Sequence, residues 1–320
     1  MRPHAPRSVG LRSREERYRQ AERGVWRSLG LEPSEHLVHL PTIGSAVRVQ
    51  EVGNGEPLLF LHGASTSGTS WASLVAGLAG FRCLVLDRPG TGLSEPMGRR
   101  VSGAEDLRAI ARSLVPESLE GLGIDRAAVV ATSFGGFFAF HGAMASPHRV
   151  TRIVEFGWAA GAPLGRMSWV MRLASLPVLG TLSTRLPANE RTVRAMFRAI
   201  GMREAMDAGH VSDEAVRAYA ALINETATLR NELALGRAVA SPLRGLDPRL
   251  LLTEDERGSI QQPVRFIWGD RDVFGGIEVA REFAAAFPDA RLEVVPGAGH
   301  SPWMDDADVA ARLLRRALAD

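Results

Sequence analysis

Val129-Val130-Ala131-Thr132-Ser133-Phe134-Gly135-Gly136 is the stretch on which the fold turns. An apolar run stops at a serine, and a helical pattern over residues 134–145 begins at once. A tight strand-to-helix reversal lifts such a hydroxyl onto a strained turn above a sheet. Small residues two before and two after the serine, Ala131 and Gly135, let strand and helix approach without clashing. Ala131 stands where G-x-S-x-G has its first glycine, and one added methyl group is expected to be tolerated there. Alone, the stretch is a weak signal.

Working outward, strand-like runs recur on both sides of it. Residues 47–52 alternate and are followed by Gly53-Asn54-Gly55, a hairpin-type turn signal. Residues 58–61, 83–86, 127–131, 150–156, 264–268 and 292–295 complete the set. Several are wholly apolar over four or five residues, as strands buried on both faces by crossover helices are. Helical patterns at residues 70–79, 102–119, 134–145, 277–287 and 305–319 alternate with them. The expected fold class is α/β, a mostly parallel sheet flanked by helices.

Residues 157–262 break that rhythm. Helical patterns lie around residues 167–174, 190–200 and 213–227, with no convincing strand. The expectation is a helical cap inserted between two strands of one sheet. The core would be residues 35–156 and 263–320, preceded by an arginine-rich helical arm over residues 1–34. In that arm Leu11, Tyr18 and Val25 fall at sevenfold spacing. A thin stripe of this kind predicts an amphipathic helix laid on the domain surface.

A serine hydroxyl needs a base, and the base needs an orienting acid. Pro296-Gly297-Ala298-Gly299-His300-Ser301-Pro302-Trp303 offers His300 on a glycine-rich loop after a strand. Trp268-Gly269-Asp270-Arg271-Asp272 follows another strand and offers the acid. Either carboxylate could act. Asp272 is favoured because it lies further out on the loop, while Asp270 is placed to fix the turn. For an oxyanion the donors would be the backbone N–H groups of Ala64, after Leu61-His62-Gly63, and of Phe134. His62 is expected to hold its loop. Asp87-Arg88-Pro89-Gly90-Thr91-Gly92 lacks the spacing of a phosphate loop and is read as structural. The constellation needs no cofactor and no metal.

The segments His62-Gly63-Ala64, Asp87 to Gly92, Ala131 to Gly136, Gly269 to Asp272 and Gly299 to Trp303 together resemble the signature segments of the α/β-hydrolase superfamily. More narrowly they are similar to its capped bacterial serine hydrolases, which include esterases, lactonases and meta-cleavage C–C hydrolases. The order Ser133, Asp272, His300 is that family's chain order. The resemblance covers roughly residues 35–156 and 263–320 and says little about substrate. It implies a nucleophile at Ser133; the epoxide hydrolases and haloalkane dehalogenases of the superfamily carry aspartate there. Epoxide hydrolases also use cap tyrosines as a pair, and of the two tyrosines here, Tyr18 and Tyr219, only Tyr219 falls in the cap.

The expected activity is hydrolysis of an ester, lactone or thioester of an apolar small molecule. A C–C hydrolase would use the same triad, with cap arginines such as Arg166, Arg172, Arg191, Arg194 and Arg198 as candidates for a substrate carboxylate. The loop after His62 lacks the Gly-Pro-Gly pattern expected of meta-cleavage enzymes. A non-hydrolytic binding protein, isomerase or cyclase on the same fold is the contrasting class. Five of nine methionines fall in the cap: Met167, Met171, Met196, Met202 and Met206. With Trp158, Trp169 and Trp303 they would make an adaptable apolar lining.

Composition sets the remaining bounds. The 320 residues are 45% hydrophobic and 23% charged, which argues against a disordered chain. All 38 basic residues are arginine, and the sequence pI is about 9.3. Eight arginines against three glutamates sit in residues 1–30, so the body carries a slight acidic excess. A nucleic-acid partner is therefore disfavoured. The single cysteine, Cys83, excludes an internal disulfide. With no long apolar run and no apolar leader, a cytoplasmic protein without a membrane span is expected.

Overall fold

The structure, a computed structural model, describes residues 9–164, 187–241 and 245–320. Eight strands form one sheet in the order β1-β2-β4-β3-β5-β6-β9-β10. They are β1 (Ser34–Leu40), β2 (Ser45–Val52), β3 (Glu56–Leu61), β4 (Phe81–Leu86), β5 (Ala127–Ser133), β6 (Val150–Ala159), β9 (Val264–Gly269) and β10 (Ala290–Val295). Only β2 runs against the rest, pairing antiparallel with β1 and β4. The other pairs are parallel. The α/β architecture read from the sequence is present.

The apolar runs have a simple cause. On β3, Leu59 and Leu61 join one core cluster with Val129 and Ala131. Their neighbours Leu58 and Phe60 join the other with Ala128 and Val130. Side chains alternate faces along a strand, so a strand covered on both sides must be apolar at every position. Helices α3 (Ala104–Gly121), α4 (Phe134–Ala145) and α10 (Ile277–Ala284) contribute to the first cluster. The short α2 (Ala72–Ala76) and the terminal α12 (Ala307–Ala319) contribute to the second. Asp306 caps α12 through the Val309 N–H and separates it from the four-residue α11 (Pro302–Asp305).

Two local readings are corrected. Residues 34–40 form an edge strand that the sequence reading missed, because only Val38 and Leu40 on it are buried. The Gly53-Asn54-Gly55 turn does not close a hairpin. β4 lies between β2 and β3, pairing Val49 with Leu86 on one side and Leu58 with Cys83 on the other. The glycines are still required, since a Cβ on Gly53 would stand 2.4 Å from the Phe81 carbonyl oxygen.

Between β6 and β9 the described residues are mainly helical: α5 (Glu190–Ala199), α6 (Arg203–Ala208), α7 (Asp213–Glu225), α8 (Thr228–Val239) and α9 (Glu254–Ser259). A two-residue antiparallel pair, β7 (Ala240–Ser241) with β8 (Gly245–Leu246), follows α8. Val193, Phe197, Met202, Met206 and Val216 give these helices a small core of their own.

The N-terminal helix α1 (Val9–Ser28) packs one face firmly against the domain. Tyr18, Glu22, Val25 and Trp26 are each at most 5% exposed. Glu22 is held by Arg48 of β2 through two bonds of 2.6 and 2.7 Å, and Arg48 also reaches Asp87 at 2.8 Å. Two carboxylates share one guanidinium. Burial opposes the charge of Glu22, but Arg48 outweighs it and holds that carboxyl below its usual range. At Asp87 burial prevails over Arg48 and raises the carboxyl. The arm's exposed arginines also meet acids: Arg17 bonds Glu225 at 2.7 Å and Arg19 bonds Glu35 at 2.6 Å.

Candidate functional site

Ser133 ends β5 at φ 54°, a left-handed conformation that side chains other than glycine rarely adopt. What surrounds the turn explains the glycines after it. A Cβ on Gly135 would lie 2.1 Å from the Leu61 carbonyl oxygen, and one on Gly136 would lie 2.6 Å from Glu155 Oε1. Ala131 needs no such room and packs inside the core.

His300 lies on the loop between β10 and α11. Its Nδ1 is 2.9 Å from Asp272 Oδ2, and both side chains are buried. Asp272 is fixed from two directions. The Trp158 N–H donates to Oδ2 at 2.6 Å, and the Phe274 N–H donates to Oδ1 at 2.9 Å. The first of these depends on Gly157, whose φ of +69° turns the peptide toward the carboxylate. Asp270 is elsewhere: its Oδ1 accepts from the Gly297 N–H at 2.8 Å. Asp305 steadies the histidine loop by accepting from the Gly299 N–H at 2.8 Å, and burial raises its carboxyl to about 6. The Phe274 ring packs on His300 with centroids 4.3 Å apart.

The loop after β3 stands over Ser133. A Cβ on Gly63 would lie 3.0 Å from Ser133 Cβ. Arg88, fully buried, donates from Nε to the His62 carbonyl at 3.0 Å and from Nη2 to the Gly63 carbonyl at 2.9 Å. The peptide bonds are trans, so a Gly63 carbonyl aimed at Arg88 aims the Ala64 N–H the opposite way. His62 Nε2 accepts from the Arg88 N–H at 3.0 Å, which leaves Nδ1 to donate to the Gly63 carbonyl at 2.8 Å. Burial, and then the Arg88 charge, hold this imidazole neutral, well below the ordinary histidine range. Glu232 of α8 ties the inserted helices to the same loop. It accepts from Arg88 at 3.0 Å and from the Ser65 N–H at 3.2 Å.

These loops open onto a cavity of about 850 Å³ that contains Ser133, Phe134, Ala64 and His300. Trp158 and Trp303 line it, as do Met196 and Met202. Trp303 stacks on Trp71 at 4.1 Å and donates to the Ser70 carbonyl at 2.8 Å. Met206 instead packs among the inserted helices. Met167, Trp169 and Met171, with Arg166 and Arg172, lie outside the described residues. Of the other arginine candidates, Arg191 is exposed, Arg194 pairs with Asp213 at 2.6 Å, and Arg198 pairs with Asp207 at 2.8 Å. The acidic side chains among the described lining residues are Glu214 and Glu232.

Several residues here were not singled out in the sequence. Arg88 and Glu232 become partners only through the fold. Glu155 had a visible signal, as the one acid within the β6 run. It is fully buried behind the Ser133 turn, and among the described residues neither oxygen has a hydrogen-bond partner at normal geometry, although the Ser133 N–H faces it. Burial keeps its carboxyl well above the usual range, and the nearby Asp272 charge adds to that.

Comparison with known proteins adds the following. Residues 58–313 match the family model described as the alpha/beta hydrolase family. An uncharacterized protein of Mycobacterium bovis is 32% identical over 79% of this chain and 72% of its own length. A 2-hydroxy-6-oxononadienedioate/2-hydroxy-6-oxononatrienedioate hydrolase of Cupriavidus pinatubonensis is 27% identical over 84% of this chain and 89% of its own. Among solved structures, naproxen esterase from Bacillus subtilis superposes with a TM-score of 0.75 at 18% identity, covering 98% of this chain and all of that one. A 2-hydroxy-6-oxo-6-phenylhexa-2,4-dienoate hydrolase from a Rhodococcus strain gives 0.72 at 16% identity, over 90% of this chain and all of its own. At these identities the structural matches show the fold alone.

Proposed function

Because the chain belongs to the alpha/beta hydrolase family, we propose that it is a serine hydrolase cleaving an ester, lactone or thioester of a predominantly apolar small molecule. The observation that carries this reading is the strained Ser133 turn opening, together with His300, onto a largely apolar cavity. Ser133 Oγ attacks the acyl carbon while His300 takes its proton. His300 gives Nδ1 to Asp272, which leaves Nε2 for that proton and lets the carboxylate stabilise the imidazolium. The Ala64 and Phe134 N–H groups receive the oxyanion. His300 then protonates the leaving group, and water releases the acyl enzyme. Residues 157–262 act as the cap that covers the acyl group.

Hydrolysis of a chain-length series of p-nitrophenyl esters and a few lactones tests the proposal, with wild type beside Ser133→Ala. Equal rates would remove Ser133 from its role. Fluorophosphonate labelling of Ser133 separates a hydrolase from an inert binding protein or an isomerase on the same fold.

The similarity to the Cupriavidus dienedioate hydrolase favours a second reading, C–C hydrolysis. That substrate class carries carboxylates. The described lining residues include no arginine to bind them, and Arg194 and Arg198 are taken up by surface acids. The ester reading is therefore placed first. Bleaching of a 2-hydroxy-6-oxohexa-2,4-dienoate by wild type, with no ester turnover, would reverse the order.

A further inference from the structure

The cavity holding Ser133 has one wall that belongs neither to the sheet nor to the inserted helices. Tyr18, Val25, Ser28 and Leu29, all from α1 and its C-terminal turn, line it. α1 packs along α7, and its anchoring is that of a fixed wall. Arg48 grips Glu22 beneath it with both partners about 3% exposed. The Tyr18 hydroxyl donates to Glu22 at 3.0 Å and lies 2.9 Å from Ser67 Oγ, on the loop that follows Ala64. Beside Tyr18, Arg17 closes onto Glu225, the last residue of α7. After Ser28 the chain turns back, with the Leu29 and Leu31 N–H groups both donating to the Trp26 carbonyl and Gly30 at φ 71°. This holds Leu29 at the cavity. Leu29 is 36% exposed and Met196 of α5 is 39% exposed, so these two large apolar side chains border the cavity where it meets solvent. Val25, 5% exposed, faces it from within.

We propose that α1 is the specificity-determining wall of the substrate pocket, and that Val25 and Leu29 set the length of apolar chain or ring the pocket accepts. The inference rests on the hydrolase reading for its enzymatic assay. Among the described residues, the side-chain hydrogen bonds of the His300–Asp272 pair run to Trp158 and Phe274 and not to α1, so changes at Val25 and Leu29 are expected to act on substrate length and not on the proton path.

The test uses the full chain with Val25→Phe and Leu29→Trp, which add bulk, and Val25→Ala and Leu29→Ala, which remove it. Each variant is given p-nitrophenyl esters from acetate to laurate, and each profile is normalised to acetate, so a general loss of activity does not count as a shift. Bulky variants should move the optimum to shorter chains, losing about fourfold in relative kcat/KM for each methylene excluded. The alanine variants should move it to longer chains. A small fluorophosphonate reports Ser133 in every variant. Superimposable profiles in variants that still label would overturn the wall proposal and leave the hydrolase reading intact. If neither labelling nor turnover occurs in wild type, the hydrolase reading falls by itself. The wall is then judged by displacement of bound Nile red with primary alcohols of the same lengths. An unchanged length preference across the four variants overturns it there too.

Discussion

At the scale of single residues, the backbone of Ser133 is a strained feature of the site. A non-glycine residue in the left-handed region carries strain of about 1–3 kcal/mol and persists only where its surroundings hold it there. The supports are specific: Gly135 passes under the Leu61 carbonyl, and Gly136 leaves room for Glu155. The two aspartates of the β9 loop show how position separates similar side chains. Asp272 holds the imidazole, whereas Asp270 holds a backbone N–H on the neighbouring loop. Asp272→Asn should therefore lower kcat by a factor on the order of 10⁴, the cost of presenting the wrong imidazole tautomer. Asp270→Asn should lose far less. Steady-state kinetics of the pair decides it, and a larger loss for Asp270→Asn would reverse the assignment. Both carboxylates were legible in the sequence as acids after an apolar strand. Their different duties depend on the Trp158 N–H and the Gly297 N–H, which come from distant segments.

Among the elements, legibility followed burial. β3 and β5 are covered on both faces and announced themselves as unbroken apolar runs. β1 lies at the sheet edge with two buried side chains and left no comparable trace. The arginine-rich helix shows the same limit from the other side. Its sevenfold stripe marked a helix, but a stripe does not say what it packs on. In the fold α1 is tethered by a buried carboxylate–guanidinium–carboxylate set, Glu22, Arg48 and Asp87. Removing the shared partner from a buried ion pair costs about 3–5 kcal/mol, because charge is left without compensation. Arg48→Ala should show a loss of that size in urea unfolding. A drop below about 1 kcal/mol, the scale of exposed pairs, would mean that the set is solvated and the tether weak.

At the level of the whole molecule, two buried groups that take no part in the proposed chemistry shape stability against pH. His141 lies inside α4, and neither ring nitrogen has a hydrogen-bond partner among the described residues. Burial, helped by the Arg108 charge, lowers it from 6.5 to about 3. Between those values the unfolded chain binds the extra proton and the folded chain does not, so stability falls as pH drops below about 6.5. Glu155 acts in the opposite sense. Its folded carboxyl keeps its proton above the ordinary 4.5, so stability falls as pH rises from there. Each of the two groups contributes a limiting slope of about 1.4 kcal/mol per pH unit. Urea midpoints across pH should show a shallower acid limb in His141→Leu, with His62 still contributing, and a shallower fall above pH 4.5 in Glu155→Gln, with Asp87 and Asp305 still contributing. Curves parallel to wild type would show that neither group carries the dependence. Local chemistry alone was enough for the α/β plan and the chain order of Ser133, Asp272 and His300, because apolar runs, turns and glycines act between near neighbours. Packing between remote segments decided the rest. α1 became a pocket wall, Arg88 took hold of the Gly63 carbonyl, and Glu155 was sealed behind the serine turn. Each of those outcomes depends on contacts and desolvation that exist only once the chain has closed on itself.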